Sequence, residues 1–500
     1  MIKNIKVKVC IVGSGFCGYV AYKKLKEKRV KVLLLEGGTP HNPKNVNEQK
    51  NYKVKVNEYA GKPKSGKKER KVKTFIDPSW FQRRYTLGGS SEAWSGWIKP
   101  FEDSSYSNIY QTNTNRDWSG NKFRKYEKEA LRLLNSPILE FDPYKLSRDF
   151  NIELPKLNKG LYYTAYSWAP KPLRLKDFWL KRSVDSPEKI SSDKDVLYGY
   201  RLESLETKNK KIFSGEFYSL NGDHLSVEAD NFILCLGAIE NAKILQKLYR
   251  QENISNPNNE IGNFQEHPHI YRSAFFNKGL KQIPKILTDK LEIKDKKNDQ
   301  SRGSIKLMIC AWDGPGTPKV SFSISKLKDA NPLIRMRRNF VNRLINSPDI
   351  YKVINTDYTL HMRCEQTPNT LSRLNFDKDF TSLNWKVKDS DFIYYSDYLK
   401  RFSSFLISSG LTDKVILHDK ALNGYAFPNK LKGGAHHMGT VPLLKDESIL
   451  DSNLTHKLFE NISIVGSSCF PTSGFENPTH GAILSTFVAV DHIIKKLNTI

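Results

Sequence analysis

Little in this chain would anchor it in a membrane or staple it for secretion. Only 6 of its 500 residues are cysteine, widely spaced and without a CxxC pair. That excludes a disulfide framework and fits a reducing compartment. No ligand spacing of the metal or iron–sulfur kind is present, so no metal site is expected. No apolar run approaches the roughly 18 residues of a membrane span, and the first strand begins too near the N-terminus to leave room for a signal peptide. Cytoplasm is the expected location. Acidic residues are also scarce, 53 against 80 Lys and Arg, for a net charge of +27. The lysines are spread over the whole chain, with dense runs at Lys53 to Lys73 and Lys281 to Arg302 that read as solvated loops. With no recognisable nucleic-acid module, nucleic acid is not an expected partner. One stretch differs: in 333–345, Arg335, Arg337, Arg338 and Arg343 interleave with Met336, Phe340, Val341 and Leu344. It reads either as a core-packed helix with a basic face or as a peripheral contact with an anionic membrane surface.

What is present is concentrated at the two ends. Lys6 to Val12 alternates charged and apolar residues and then turns wholly apolar, as a buried strand does. It runs into Gly13-Ser14-Gly15-Phe16-Cys17-Gly18, a helical stretch from Tyr19 to Glu27, and a second apolar run, Val30 to Leu35, that ends in Glu36. This is a dinucleotide fingerprint in its required context. Gly13 permits the turn, Gly15 lets the backbone approach a pyrophosphate, and Gly18 lets helix and strand pack closely. The helix N-terminus supplies amides for the phosphates, and Glu36 is placed to accept from an adenosine ribose.

Later segments add to it. Leu87-Gly88-Gly89-Ser90-Ser91 is a small-residue turn suited to a flat ring system. Phe232 to Leu236 is another apolar strand, entering a helix through Gly237-Ala238. A polar turn, Ile261-Gly262-Asn263-Phe264-Gln265-Glu266-His267-Pro268, follows. The last sixty-odd residues hold Gly433-Gly434-Ala435-His436-His437-Met438-Gly439-Thr440, the strand Asn461 to Val465 with Gly466-Ser467-Ser468, and Phe470 to Thr479 (FPTSGFENPT). An imidazole in a flexible turn and a carboxamide before a helix-starting proline are what alcohol oxidation by a flavin needs.

Together these motifs resemble, in order, those of the glucose–methanol–choline (GMC) family of FAD oxidoreductases. The segment from Glu365 through Arg373 to Trp385 resembles bacterial, sugar-oxidising members. The resemblance implies a Rossmann-like α/β FAD domain and a substrate domain built on an antiparallel sheet plus helices. FAD contacts would come from Gly13, Ser14, Gly15, Phe16, Gly18, Glu36, Gly88, Gly89, Ser90, Gly237, Ala238, Gly466, Ser467, Pro478 and Thr479. His436 falls where the family keeps its catalytic histidine, and would take the hydroxyl proton as the alcohol carbon passes hydride to flavin N5. Asn477 falls where the family keeps histidine or asparagine; it would hold the alcohol oxygen, or else cap the helix behind it. His437 and His480 are left without a role. Many relatives carry an aspartate where this chain has Gly466, so backbone amides or Ser467 would serve the flavin ribityl. With no histidine or cysteine near the Gly88-Gly89 turn, FAD is expected to bind non-covalently.

The scattering of the motifs predicts a discontinuous FAD domain at 1–130, 190–275 and 430–500, with 131–189 and 276–429 forming the substrate domain. Val196 to Thr207, Lys211 to Leu220 and His224 to Leu236 read as a meander; Val320 to Ile324 and Tyr358 to Arg363 read as half-buried strands. The expected activity is oxidation of a CH–OH group of a sugar or glycoside; Trp94, Trp97 and Trp385 read first as core residues and second as aromatic faces for the sugar. Oxygen, a quinone or a redox protein would be the electron acceptor. Oxidation of an aliphatic or sterol alcohol, a non-redox FAD-containing lyase, and a basic binding protein with a relict flavin site are the alternatives.

Overall fold

The computed structural model describes residues 3–40, 52–56, 84–102, 121–219, 221–256, 261–295, 298–327, 356–376, 381–417, 431–443 and 448–498. The basic stretch 333–345 lies outside them. The strand Lys3–Val12 alternates at its start and is fully buried over its last four residues. The reason is its position between two parallel neighbours, Val32–Glu36 and His224–Leu234. A strand covered on both faces needs apolar side chains on both. Ile462–Ile464 extends the parallel set beyond His224–Leu234, and Val196–Tyr198 and then Ser183–Val184 extend it on the other side. The helix Phe16–Glu27 packs against the last long helix, Pro478–Asn498. The two ends of the chain therefore close one domain.

The meander differs from expectation at its first strand. Gly199, at φ +79°, breaks the run. Val196–Tyr198 pairs parallel with Val32–Glu36, and only Tyr200–Lys208 begins the antiparallel meander through Lys211–Ser219 to His224–Leu234.

The second sheet has nine strands and only antiparallel pairings. Its centre is Pro268–Phe276, Tyr358–Cys364, Val320–Lys326, Ser301–Ala311 and Leu161–Trp168 in spatial order, with Trp97–Ile98 at one edge. A small third sheet joins Arg373–Phe376, Thr381–Trp385 and Tyr52–Val56. Among the described residues the sheets divide the chain differently from the expected boundaries at four places. Ser183–Val184 sits on the nucleotide sheet, whereas Trp97–Ile98, Leu431–Gly433 and Pro268–Phe276 belong to the antiparallel one. The polar turn at 261–267 leads directly into that last strand, so one short segment links both halves. Among the described residues no helix is long and apolar enough to cross a membrane.

Candidate active site

Four parallel strands end on glycines at one edge of the first sheet: Gly13, Gly37, Gly237 and Gly466 follow Val12, Glu36, Leu234 to Leu236 and Val465. Ligands of open α/β sheets bind outside such carboxyl ends. The fingerprint glycines divide their work as its spacing predicts. Gly13 adopts φ +102°, and a Cβ there would lie 2.7 Å from the Cys235 carbonyl oxygen. A Cβ on Gly18 would collide with the Gly13 carbonyl. At Gly15, by contrast, a Cβ would meet nothing within 4 Å. Tight packing at the outer glycines and open space at the middle one is the cradle a pyrophosphate requires.

The neighbouring turn is tied onto this cradle. Gly88 N donates to Ser14 Oγ at 2.8 Å, and a Cβ on Gly89 would sit 3.7 Å from Gly15 Cα. Ser14 in turn donates to Glu36 Oε2 through its amide at 2.9 Å and its hydroxyl at 2.6 Å, while Gly38 N donates to Oε1 at 2.7 Å. Glu36 thus fastens the loop, leaving only its remaining lone pairs for a ribose; burial raises its pKa and these donors oppose the rise. Phe16 is buried in the first turn of the helix and meets Trp94 edge-on. Ser90 is exposed. Ser467 Oγ donates to the His437 carbonyl at 2.8 Å, so the hydroxyl expected to serve a ribityl chain is already used. Gly466, at φ +98°, donates its amide to Ser485 Oγ at 2.9 Å.

A buried side chain with no assigned role locks the second glycine motif. Asn241 accepts from Leu236 N at 3.2 Å and donates to Val465 O at 3.2 Å and to Ser468 Oγ at 2.9 Å. It joins Gly237-Ala238 to the Gly466 loop, and Thr440 Oγ1 closes the corner by donating to Ala238 O at 2.6 Å. Asn241→Ala is expected to cost about 1–3 kcal/mol of stability and to weaken FAD retention on gel filtration. Unchanged denaturant midpoint and flavin content would refute this.

The chemistry is assembled around the polar turn. Gln265 and Met438 exchange backbone hydrogen bonds at 3.0 Å, and Gln265 Nε2 donates to Pro471 O at 3.0 Å. This turn therefore staples the HHMGT run to the FPTSG run. Glu266 is fully buried under the histidine loop and accepts from the His267 and His436 amides at 2.8 Å. Burial pushes its pKa up to about 8, against the pull of the His267, His436, Gly434 and Ala435 amides. His437 lies beside it, Nε2 3.9 Å from Glu266 Oε2.

The tautomer of His436 follows from a chain of two contacts. His267 Nε2 lies 2.9 Å from the Ser473 carbonyl, which only accepts, so Nε2 carries the proton. Burial holds His267 at a pKa of about 3, so its Nδ1 is an acceptor. His436 Nδ1 sits 2.8 Å from that nitrogen and must donate. The lone pair of His436 is thereby placed on Nε2, which meets no protein partner among the described residues. Desolvation first, then His267 and Arg363, hold His436 well below the usual histidine range.

Asn477, buried immediately before the helix Pro478–Asn498, does not cap it through its oxygen. Oδ1 accepts from Arg363 Nη1 at 3.2 Å, which leaves the Nδ2 donors without a partner among the described residues. Pro478 and Thr479 open the helix, so its first amides face the same region. His480, one residue on, is 1 % exposed, and burial keeps it neutral with a pKa of about 4.

Other expectations change. Trp385 is fully buried and donates to Gln366 Oε1 at 2.7 Å, so it cannot present a face to a sugar. The Glu365–Arg373 segment supports the FPTSG turn: Thr472 Oγ1 donates to Glu365 Oε1 at 2.5 Å and Gln366 N to Ser473 Oγ at 2.9 Å. Of the three tryptophans, Trp97 reaches the site, its ring 4.6 Å from the Arg363 guanidinium. No metal-ligand set was expected, yet the fold brings ring nitrogens of His267, His269 and His436 within 4.8 Å of one another; the first and last are hydrogen-bonded. The spacing of 169 residues between His267 and His436 hides that meeting from the sequence. Glu266, His267 and Arg363 had no role assigned. The signal was the polar Gln265-Glu266-His267 cluster ahead of a strand, and a charged residue, Arg363, near the end of the alternating strand Tyr358–Cys364.

Comparison with known proteins agrees with this geometry. Residues 381–485 match the family model described as GMC oxidoreductase. No curated protein matches the sequence. Among solved structures, the chain is similar to pyridoxine 4-oxidase from Mesorbium loti, with TM-score 0.57, 18 % identity, and 98 % of this chain and 99 % of that one covered. It is similar to a variant of formate oxidase from Aspergillus oryzae RIB40, with TM-score 0.59, 13 % identity and 100 % of both chains covered. It is also similar to an FAD-dependent oxidoreductase from Chaetomium thermophilum, with TM-score 0.55, 13 % identity, and 99 % of this chain and 100 % of that one covered. At such identities the structures establish the shared fold. The match to the GMC oxidoreductase model is confined to residues 381–485, and the fold shared with these structures spans the whole chain.

Proposed function

We propose that the chain oxidises a CH–OH group, of a sugar or glycoside in the first instance, with His436 as the base and Asn477 as the group that orients the alcohol oxygen. The observation that carries this reading is the fixed tautomer of His436, whose free Nε2 has no competing protein partner. Bound non-covalently, FAD supplies the acceptor for the hydride that leaves the alcohol carbon. The chain's own residues handle the proton and the oxygen. His436 Nε2 accepts the hydroxyl proton, with Ser473 O and His267 keeping the ring from turning. Asn477, its Oδ1 engaged by Arg363, directs Nδ2 donors at the oxygen. The amides at the start of Pro478–Asn498 and the +0.5 charge equivalent of a helix N-terminus favour negative charge on the ring system there.

A panel of sugars and simple alcohols, added without oxygen to the flavin-loaded protein, tests the reading through loss of visible flavin absorbance. A protein that dithionite bleaches but no alcohol does would refute it and leave a lyase or relict site. The electron acceptor, whether oxygen, a quinone or a redox protein, is read by adding each to the reduced enzyme.

The pH dependence has a definite sign. A histidine whose pKa is held well below 6.5 stays an unprotonated base down to acidic pH. The rate of flavin reduction is therefore expected to show no His436 limb near pH 6.5 and to fall through this histidine only below the free-histidine range. An acid limb centred at or above that range would contradict the buried, neutral His436.

A further inference from the structure

The carboxylate that Arg363 lacks points to the kind of alcohol this site accepts. Arg363 leaves the strand Tyr358–Cys364 with its guanidinium 4.6 Å from the Trp97 ring and 5.3 Å from that of Tyr166. Among the described residues its one hydrogen bond is from Nη1 to Asn477 Oδ1, and it forms no ion pair. Nε is buried without a partner. On a guanidinium, Nε and Nη2 form one edge of two parallel N–H bonds, the fork that matches a carboxylate. That edge is open here.

A second buried group stands opposite. His269 pairs with Arg363 across adjacent antiparallel strands, and its Nε2 is also buried without a partner. Its Nδ1 lies 3.1 Å from Tyr271 Oη; when Tyr271 donates there, Nε2 is an N–H. Its ring centroid is 6.3 Å from that of His436. Leaving a buried donor unmet costs about 1–3 kcal/mol, and more when the group is charged. Two such donors on directly opposed residues, beside the base and its partner amide, are the signature of a ligand rather than of packing.

We propose that Arg363 and His269 bind a carboxylate of the substrate, so that the alcohol oxidised is a hydroxy acid, sugar acids included. The inference rests on the alcohol-oxidation reading and deepens it. A hydroxyl would satisfy the donors but leave the guanidinium uncompensated, and the +27 net charge would steer anions toward the chain. Trp97 and Tyr166, whose rings meet edge to face beside the guanidinium, hold the fork in place.

The test uses matched pairs on the flavin-loaded protein without oxygen: gluconate against glucose, lactate against 1,2-propanediol, with glucose 6-phosphate as a non-carboxylate anion. The acid of each pair is expected to reduce the flavin with at least about 100-fold higher efficiency than the neutral member. Arg363→Gln should collapse that ratio toward one, and Arg363→Lys, which keeps charge but loses the fork, should fall between. Neutral alcohols reacting as well as acids, glucose 6-phosphate reacting as well as gluconate, or an undiminished ratio in Arg363→Gln would each overturn the proposal. A binding arm separates it from the redox reading. Acetate and benzoate should perturb the bound flavin's spectrum saturably in the wild type and at least tenfold more weakly in Arg363→Gln. If no alcohol bleaches the flavin but this carboxylate binding holds, the oxidation reading fails and the anion site stands; if neither carboxylate binds through Arg363, the site itself is refuted.

Discussion

Replacing His436 by alanine is expected to slow anaerobic flavin reduction by about 10²- to 10⁴-fold while leaving FAD bound. The size follows from what is removed. His436 Nε2 is the nitrogen that the Ser473–His267–His436 chain leaves unprotonated. His267 spends both ring nitrogens within the chain, and His437 faces buried Glu266 instead. FAD should stay because His436 has no part in the fingerprint, the Gly88-Gly89 turn or the Asn241 lock. His437→Ala is the matched control and should have a far smaller effect, since only one member of the tandem pair belongs to the proton chain. Stopped-flow reduction with a saturating substrate checks both. An undiminished rate in His436→Ala would remove the base assignment.

The second large effect separates two glycines that the fingerprint treats alike. Gly15→Ala is expected to leave the stability of the flavin-free protein unchanged or slightly raised, because φ −67° suits any residue and nothing lies within 4 Å of the new carbon. FAD affinity should nevertheless fall at least about 100-fold, on the order of 3 kcal/mol, since the methyl fills space meant for pyrophosphate. Gly18→Ala should lose FAD as well, but through the fold. Its methyl would strike the Gly13 carbonyl, and strand and helix must separate to admit it, costing more than about 3 kcal/mol. Denaturant unfolding of the flavin-free proteins, alongside flavin titration, distinguishes the two. Equal destabilisation by both substitutions would show that Gly15 is a packing residue and that the open cradle is misread.

Much of the nucleotide half was legible because its determinants are local. The fingerprint glycines, the first two parallel strands and the acid that ends the second all lie within the first 36 residues, and each leaves a mark on composition or period. The antiparallel strands Val320–Lys326 and Tyr358–Cys364 were readable from alternation for the same reason. Gly199 was not. A single left-handed residue switches one apparent strand from a parallel to an antiparallel partner, and propensity carries no information about partners. Trp385 was legible only as core or sugar face, with core first, because an aromatic reads alike in a core and in a pocket; burial and the Gln366 bond decide for the core.

By itself the sequence determined a dinucleotide fingerprint in its strand–turn–helix context and two end-of-chain runs holding an imidazole and a carboxamide. Spacing and periodicity are properties of neighbours along the chain, and these features need nothing else. Only the tertiary structure decided which nitrogen of His436 is free, why Asn477 offers donors rather than a cap, and that Arg363 stands opposite His269 with an open edge. Each of those depends on a partner 94 or more residues away on another strand or turn, where hydrogen-bond direction, burial and register set the chemistry and leave no trace in local pattern.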